Sequence, residues 1–170
     1  TYAAERAGVE ILTEARVTDL HAVGGRIEGV RLERPDGTTE DIGCNALILA
    51  CNGYGGNKDM VRRYIPDMES ANYFGHPGNQ GDAVAWGMEL GAATRDLGSY
   101  QGHGSVAHPH GVLITWAVLT EGGIQVNAEG RRFANETTGY SEQAVPVLAQ
   151  PGGIAWSVYG APQDAVARQF

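Results

Sequence analysis

The sequence contains no apolar run near the roughly 20 residues that a membrane-spanning helix needs, and its first residues, Thr1–Arg6, lack the layout of a signal peptide. Basic residues are also scarce, because 12 Lys and Arg stand against 20 Asp and Glu, for a net charge of −8. This deficit disfavours non-specific binding to nucleic acid or anionic lipid. We therefore expect a cytoplasmic protein without a membrane segment, whose partner is a small molecule.

Cysteine is nearly absent, and no cluster of residues has the spacing of a metal site. Cys44 and Cys51 form no Cys-x-x-Cys pair, which favours reduced structural thiols. His108 and His110 flank Pro109 without a Cys, Asp or Glu nearby, so we predict a surface turn and no metal ion. The sequence also lacks a GxGxxG motif and the internal repeats of solenoids or propellers.

What is present is the composition of a globular protein with many tight turns. Hydrophobic residues make up 42% of the 170 positions, charged residues 19%, and 25 glycines gather at turns, which argues against disorder. In the first part, short apolar and polar alternations broken by Gly24-Gly25 and by Pro35–Gly37 predict an antiparallel β-meander. Its apolar positions are Val17, Leu20, Ile27, Val30 and Leu32.

The apolar run Ala46–Ala50 has no polar alternation, which predicts a buried strand of a parallel sheet that is covered on both faces. It stops at a glycine-rich turn that ends in Asn57. Open α/β sheets bind ligands at the carboxyl ends of their strands, where backbone N–H groups can approach a nucleotide or its phosphates. This segment therefore predicts a cofactor-binding edge.

The rest of the pattern alternates short helices with short strands. A helical turn that ends at Gly8 leads into a strand over residues 9–12. Ser141 is the predicted N-cap of a helix in the second half. The other predicted helices cover residues 58–64, 82–90 and the segment from Pro162 to Phe170, and the other predicted strands cover residues 112–115, 124–126 and 154–158.

Three segments follow one another in an order that resembles one family of flavoproteins. Leu47–Asn57 is similar to the family's "LATGGFGGN". Gly78–Ala93 is similar to "GxTGDGxxxAxxxGA", with Gln80 in place of Thr and Ala83 in place of Gly. Gly122–Glu136 matches the long pattern "GGIxVNxxGxRFxNE". Over nearly its whole length the chain thus resembles the fumarate reductase, succinate dehydrogenase and 3-ketosteroid dehydrogenase flavoproteins.

The resemblance implies FAD as the cofactor and an α/β fold that becomes α+β in its second part. Residues 1–100 would be the C-terminal portion of a Rossmann-like FAD-binding domain that includes the β-meander, and residues 101–170 the start of a substrate capping domain. Because the family's GxGxxG turn lies upstream, we expect an internal fragment that is inactive alone. Asp82 either caps its helix or lies near the ribityl and pyrophosphate part of the flavin. The implied cofactor contacts are Val17, Ala50, Cys51, Asn52, Gly53, Asn57, Gln80, Gly81 and Asp82.

The positions with which the fumarate and succinate enzymes hold a dicarboxylate are altered in this sequence. Those enzymes carry a His in "QxHPT", a "TEAxRG" segment and an Arg in "NExxTRD". His103 and Thr115 are retained. Trp116, Leu119 and Tyr140 stand where Glu, Arg and Arg are expected. A C4 dicarboxylate would lose charge-assisted hydrogen bonds of about 1.5–3 kcal/mol each, so another substrate is implied.

The spacing "NExxxY" instead resembles the ketosteroid dehydrogenases, in which a Tyr takes a proton while the flavin takes a hydride. Tyr140 has that position and is the predicted catalytic residue, and His103, Thr115 and Trp116 are the predicted substrate contacts, with Leu119 as a further apolar wall. The implied reaction moves a hydride between flavin and a C–C bond next to a carbonyl or carboxylate, with a separate electron donor or acceptor. Two alternatives remain: a catalytically silent module or scaffold derived from a flavoprotein, and a nucleotide-binding domain unrelated to flavin.

Overall fold

The computed structural model describes residues 2–169, and their contacts divide into two units. The first unit holds the residues up to Asn52 together with Asp82–Ala93. The second unit holds Gly53–Gly81 together with the residues from Thr94 on. The division into domains over residues 1–100 and 101–170 stays a prediction.

Short helices and short strands of both units are joined by many turns, as the glycine-rich sequence predicts. The helices are α1 (Tyr2–Arg6), α2 (Lys58–Tyr64), α3 (Asp82–Glu89), α4 (Ala117–Thr120), α5 (Ala144–Leu148) and α6 (Ala161–Ala167). The strands are β1 (Arg16–Val23), β2 (Arg26–Glu33), β3 (Thr39–Gly43), β4 (Val106–Ala107), β5 (Val112–Leu113), β6 (Ile124–Val126) and β7 (Trp156–Val158). Single 3₁₀ turns cover Pro66–Met68, Glu136–Thr138 and Pro151–Gly153.

The first unit contains the antiparallel sheet β1-β2-β3, in chain order. Gly24 and Gly25, which join β1 to β2, have φ of 58° and 79°, a region in which side-chain-bearing residues are strained. Val17 pairs with Leu32 across the two strands, and Leu32 is 2% exposed. The predicted β-meander is therefore confirmed, with its turns at the predicted glycines.

Two predicted strands of the first unit do not form. Residues 9–12 and 46–50 run without strand pairing, and Ile48 is 88% exposed. An apolar run becomes a buried strand only where a neighbouring strand accepts its hydrogen bonds and other elements cover its faces. All sheets formed by residues 2–169 are antiparallel, so the parallel Rossmann-like sheet is not seen in this part of the chain.

The second unit contains two small antiparallel pairs, β4 with β5 and β6 with β7. The predicted helix over residues 58–64 is confirmed at both ends by α2. The helix predicted from Pro162 to Phe170 is confirmed at its start by α6, in which the proline lies in the first turn. Its predicted extent is wrong, since α6 ends at Ala167 with Arg168 at the C-cap; Phe170 lies outside the described residues. The buried apolar side chains of this unit are Tyr54, Val61, Val118, Leu119 and Ala144.

None of the helices that residues 2–169 form has the length and apolar character needed to cross a membrane. Cys44 is half-buried and Cys51 is exposed, and neither forms a disulfide in the described part of the chain; their reduced, structural character stays a prediction. His108 and His110 lie in the exposed turn between β4 and β5, as predicted for a surface turn.

Candidate functional site

Three of the predicted substrate-site residues meet in the second unit. The rings of His103 and Tyr140 are stacked, with centroids 5.2 Å apart and an interplanar angle of 25°. The ring of Trp116 meets the His103 ring edge to face, at 6.1 Å and 86°. Because Tyr140 is 38% exposed, this group of His103, Trp116 and Tyr140, which we call the aromatic cluster, can be reached from solvent.

Main-chain hydrogen bonds hold the loop around His103 against the segment around Tyr140. The Gly104 N–H donates to the Tyr140 carbonyl oxygen over 2.8 Å, and the Gly102 N–H donates to Ser141 Oγ over 3.0 Å. The prediction of Ser141 as a helix N-cap is therefore wrong, since α5 begins at Ala144 and Gln143 has the N-cap position. The Ser141 hydroxyl instead accepts a hydrogen bond from a loop distant in sequence.

The surroundings of His103 define its protonation state. The main-chain N–H of Ser105 donates to His103 Nδ1 over 3.2 Å, so that the proton of the neutral ring lies on Nε2. Burial of the ring lowers the pKa of His103 below its ordinary value of 6.5. At neutral pH His103 is therefore an uncharged side chain with an Nε2–H donor.

Gln101 also belongs to this site, although it is not among the residues that sequence reasoning predicted. Its Nε2 donates to the Tyr140 hydroxyl oxygen over 2.7 Å. An N–H aimed at an oxygen stabilises negative charge on that oxygen. The signal for Gln101 in the sequence is its place as the Gln of the "QxH" segment.

Thr115 and Leu119 have structural positions beside the aromatic cluster. Thr115 Oγ1 accepts the main-chain N–H of Ala117 over 3.4 Å at the start of α4, and contact of Thr115 with substrate stays a prediction. Leu119 is 4% exposed and lies in the core of the second unit. Of the two predicted apolar wall residues, Trp116 is therefore the one in the aromatic cluster.

A buried carboxylate, that of Glu136, forms an ion pair with an exposed arginine in the same unit. Glu136 is 4% exposed, and its Oε2 accepts from Arg132 Nη2 over 2.6 Å. Its Oε1 accepts the main-chain N–H of Gln125 over 2.7 Å. Burial raises the pKa of Glu136, but the hydrogen bonds from Arg132 and from the Gln125 N–H outweigh burial, and the net pKa lies below the ordinary value.

Replacing Glu136 with Gln should destabilise the protein at neutral pH by about 1–2 kcal/mol, because a charged acceptor becomes a neutral one while the exposed Arg132 is partly screened. Since the folded-state pKa of Glu136 is depressed, its stabilisation is fully present above the ordinary glutamate pKa of about 4.3 and is lost as the pH falls through the folded value. Denaturant unfolding at neutral and acidic pH should show the two proteins converging in acid. The matched change Glu129→Gln, at an exposed carboxylate, should have little effect at either pH. An equal difference at all pH values would contradict a role for the Glu136 charge.

The glycine-rich turn leaves space at Gly53, whereas Gly55 and Gly56 are packed closely against Tyr73 and Pro77. Ala50 and Cys51 are exposed, and Asn52 adopts a left-handed φ of 63°. A Cβ atom added to Gly53 would meet no atom within 4 Å. Small side chains allow a ring or a phosphate to approach closely, so residues 50–53 fit the predicted FAD.

Asn57 joins this turn to the loop before Gly81. Its Oδ1 accepts the main-chain N–H groups of Asp59 and Met60, both over 3.1 Å, and so caps α2. Its Nδ2 donates to the Gln80 carbonyl oxygen over 2.9 Å, while the Gln80 side chain donates to the carbonyl oxygen of Pro77. The structure brings Asn57 and Gln80 together; their direct contacts with FAD stay predictions.

The predicted cofactor residues Val17 and Asp82 lie in the first unit. Val17 is half-buried in β1. Asp82 is exposed and is the first residue of α3, where a carboxylate is favoured by the helix dipole. Cofactor contacts at both positions stay predictions. Residues 2–169 contain no group of three or more His, Cys, Asp or Glu side chains placed to hold a metal ion.

Comparison with known proteins identifies the family. A model of the FAD binding domain matches residues 1–159. NADH:fumarate oxidoreductase from Klebsiella pneumoniae (strain 342) is 28% identical over 152 residues, which are 89% of this chain and 16% of that protein. A flavocytochrome c3 fumarate reductase in its open conformation matches with a TM-score of 0.82 at 28% identity, over 99% of this chain and 30% of that one.

A third protein shares the fold at lower identity. The 3-ketosteroid-Δ4-(5α)-dehydrogenase from Rhodococcus jostii RHA1 matches with a TM-score of 0.70 at 18% identity, over 98% of this chain and 33% of that one. The chain spans about a sixth of the curated relative's length and less than a third of the fumarate reductase chain. Because the FAD binding domain model matches residues 1–159, the alternative of a nucleotide-binding domain unrelated to flavin is wrong. The cofactor is FAD, and the chain belongs to the FAD binding domain family, among FAD-dependent oxidoreductases related to the fumarate reductases.

Proposed function

We propose that the protein containing this chain oxidises or reduces a C–C bond next to a ketone carbonyl, and that Tyr140 is its proton-transfer residue. The observation that carries the proposal is the stack of His103 on Tyr140, with Gln101 on the Tyr140 oxygen. This arrangement supplies a proton-transfer group and a neutral hydrogen-bond donor on neighbouring rings. Both are needed to move a proton at the carbon next to a carbonyl.

Tyr140 exchanges a proton with the substrate carbon next to the carbonyl. In the oxidation, Tyr140 acts as the phenolate, after its own proton has passed to solvent. The C–H bond gives its proton to this oxygen, the neighbouring carbon loses a hydride, and a C=C bond forms. FAD, when bound, supplies the hydride acceptor, or the donor when the reaction runs in reverse. In the reduction, Tyr140 gives its proton to the same carbon, and the Gln101 N–H stabilises the oxygen that is left.

His103 binds and polarises the substrate carbonyl through its Nε2–H. Proton loss next to a carbonyl places negative charge on the carbonyl oxygen, which a fixed N–H donor stabilises. A neutral donor suits this task, and the Ser105 N–H on Nδ1 holds the proton at Nε2. Trp116, edge to face with His103, is the apolar wall beside this donor.

The aromatic cluster favours a ketone over a C4 dicarboxylate. None of its three side chains carries a positive charge at neutral pH, since the pKa of His103 is lowered by burial and the other two are aromatic residues where the related enzymes have Glu and Arg. A dicarboxylate bound here would lose charge-assisted hydrogen bonds of about 1.5–3 kcal/mol each. We infer that a steroid or another large cyclic ketone is the substrate class.

A substrate panel tests this function in the FAD-loaded full-length protein. Saturated cyclic ketones and steroids are assayed with an oxidised dye, and enones and fumarate with a reduced dye. We expect kcat/KM for at least one ketone or enone to exceed that for fumarate by about ten-fold or more, from the loss of a single charge-assisted hydrogen bond. Faster turnover of fumarate would overturn the substrate class. Bound flavin without turnover of any compound would instead support a catalytically silent module.

A further inference from the structure

Gln125 lies on β6 beneath the aromatic cluster and is fully engaged in hydrogen bonds. It is 2% exposed. Its Nε2 donates to the Gly104 carbonyl oxygen over 2.8 Å, and its Oε1 accepts from Gln143 Nε2 over 3.0 Å. Because the Gly104 carbonyl oxygen can only accept a hydrogen bond, the Gln125 amide must turn its NH₂ group towards Gly104 and its oxygen towards Gln143. A buried amide with both ends paired is a rigid connection.

The residue that Gln125 holds is the one next to His103. Gly104 is itself buried, and its N–H donates to the Tyr140 carbonyl oxygen over 2.8 Å. One peptide segment thus joins the Gln125 amide, the His103 ring and the Tyr140 main chain. A Cβ on Gly104 would lie 2.8 Å from the Cβ of Gln143, so this segment is also packed closely against Gln143.

Gln125, from which these hydrogen bonds start, is itself held in place by neighbouring elements. Gln125 pairs with Ser157 in the register of β6 and β7, and its main-chain N–H donates to the buried carboxylate of Glu136. Backbone and side chain of Gln125 are therefore both held by other elements. Displacement of a catalytic group by about 1 Å can lower a rate by about 100-fold. A rigidly held Gln125 can therefore affect turnover through the positions of the His103 and Tyr140 rings.

We propose that Gln125 is a positioning residue, which through the Gly104 carbonyl sets the His103 loop and with it the stack of His103 on Tyr140. Its contribution to turnover rests on the proposed function of these two rings. Its effect on the geometry of His103 does not depend on that function. The Gln125 amide reaches the loop and not the substrate, so its loss should lower kcat more than it raises KM.

The test replaces Gln125 with Met, which has similar length but no hydrogen bonds, in the FAD-loaded full-length protein. Gln150→Met is the matched control, because Gln150 also donates to a main-chain carbonyl, that of Pro146, and accepts from a side-chain amide, that of Asn127. We expect Gln125→Met to lower kcat by about 10- to 100-fold and Gln150→Met to leave it within about two-fold.

A second readout follows the His103 ring by ¹⁵N NMR of histidine-labelled protein, with His103→Gln to assign the signals. Wild type and Gln150→Met should show a single neutral form protonated at Nε2, and Gln125→Met a mixture of both forms, because the Ser105 N–H is no longer held at Nδ1. This readout is valid even if the substrate panel shows no turnover, so failure of the proposed function and failure of the positioning role are told apart.

The double variant Gln125→Met/Gln143→Met separates positioning from stability. It removes the Gln143 amide that the single variant leaves unpaired, which should restore much of the unfolding midpoint, but it does not restore the bond to Gly104. We expect the double variant to have the same kcat and the same His103 ¹⁵N signals as Gln125→Met. Recovery of kcat and ring signals together with stability would overturn the proposal, as would an unchanged His103 ring in both variants or an equal change in Gln150→Met.

Discussion

Replacing Tyr140 with Phe should lower turnover by about 10²- to 10⁴-fold, the range over which a single proton-transfer residue contributes. The visible absorption spectrum of the bound flavin should be unchanged, because the substitution removes one oxygen and no part of the glycine-rich turn. The measurement is kcat on the best compound of the substrate panel, together with the flavin spectrum of the same preparation.

The structure explains why Tyr140→Phe should remove the proton-transfer group without disturbing the fold. Phe keeps the ring that stacks on His103 at 5.2 Å, and the main-chain carbonyl that accepts the Gly104 N–H is untouched. The substitution removes the hydroxyl and its hydrogen bond from Gln101. Folding and ring geometry should therefore persist while the proton has no acceptor or donor.

A second tyrosine of the same unit provides the control. Tyr159 is 42% exposed, against 38% for Tyr140, and its Cβ lies near Gly123 and not at the aromatic cluster. Tyr159→Phe should leave kcat within about two-fold. If Tyr140→Phe had the same small effect, the assignment of Tyr140 as the proton-transfer residue would be wrong.

Replacing Gly81 with Ala should destabilise the protein by about 2–4 kcal/mol. The residue has φ of +90°, where a side chain adds strain of about 1 kcal/mol or more. An added Cβ would lie 2.4 Å from Met60 Sδ and 2.8 Å from Tyr54 Cβ, and such overpacking costs about 1–3 kcal/mol. Denaturant unfolding measures the effect, and the FAD content of the purified variant shows whether the neighbouring turn is disturbed as well.

Gly91→Ala separates the two contributions. Gly91 has a similar φ of +81°, but an added Cβ would meet no atom within 4 Å. We expect Gly91→Ala to lower the free energy of unfolding by about 1 kcal/mol, because it adds backbone strain without overpacking. If both variants lost the same amount, close packing of Gly81 against Met60 and Tyr54 would not be what requires glycine there.

Local elements were predictable because local signals determine them. Helix α2 has the predicted bounds, since Asn57 caps its start and Pro66 follows its end. The meander has its turns where adjacent glycines permit positive φ. The strand predicted over residues 46–50 was wrong because strand formation depends on a pairing partner, which the run of apolar residues does not reveal.

In the candidate site, too, local signals were predictable and contacts between distant segments were not. Motifs in the sequence pointed to His103, Trp116 and Tyr140 one by one, and they named FAD through a family resemblance. The "QxH" segment contains Gln101 but does not indicate that it donates to the Tyr140 oxygen. Capping preference assigned Ser141 to a helix N-cap, whereas its hydroxyl accepts the Gly102 N–H. Hydrogen bonds between residues far apart in sequence leave no periodic pattern, so residue order alone does not predict them.

The sequence by itself determined the family and the cofactor, through three motifs, and those elements whose signals are local, such as α2 and the β-meander, because turns and caps act over a few residues. Only the tertiary structure decided that the His103 and Tyr140 rings stack and that Nδ1 of His103 accepts a hydrogen bond. It also decided that the buried Gln125 donates to the carbonyl oxygen of Gly104, the residue after His103. The physical reason is that ring stacking, tautomer and amide orientation depend on distances set by packing, and packing joins segments that the sequence keeps apart.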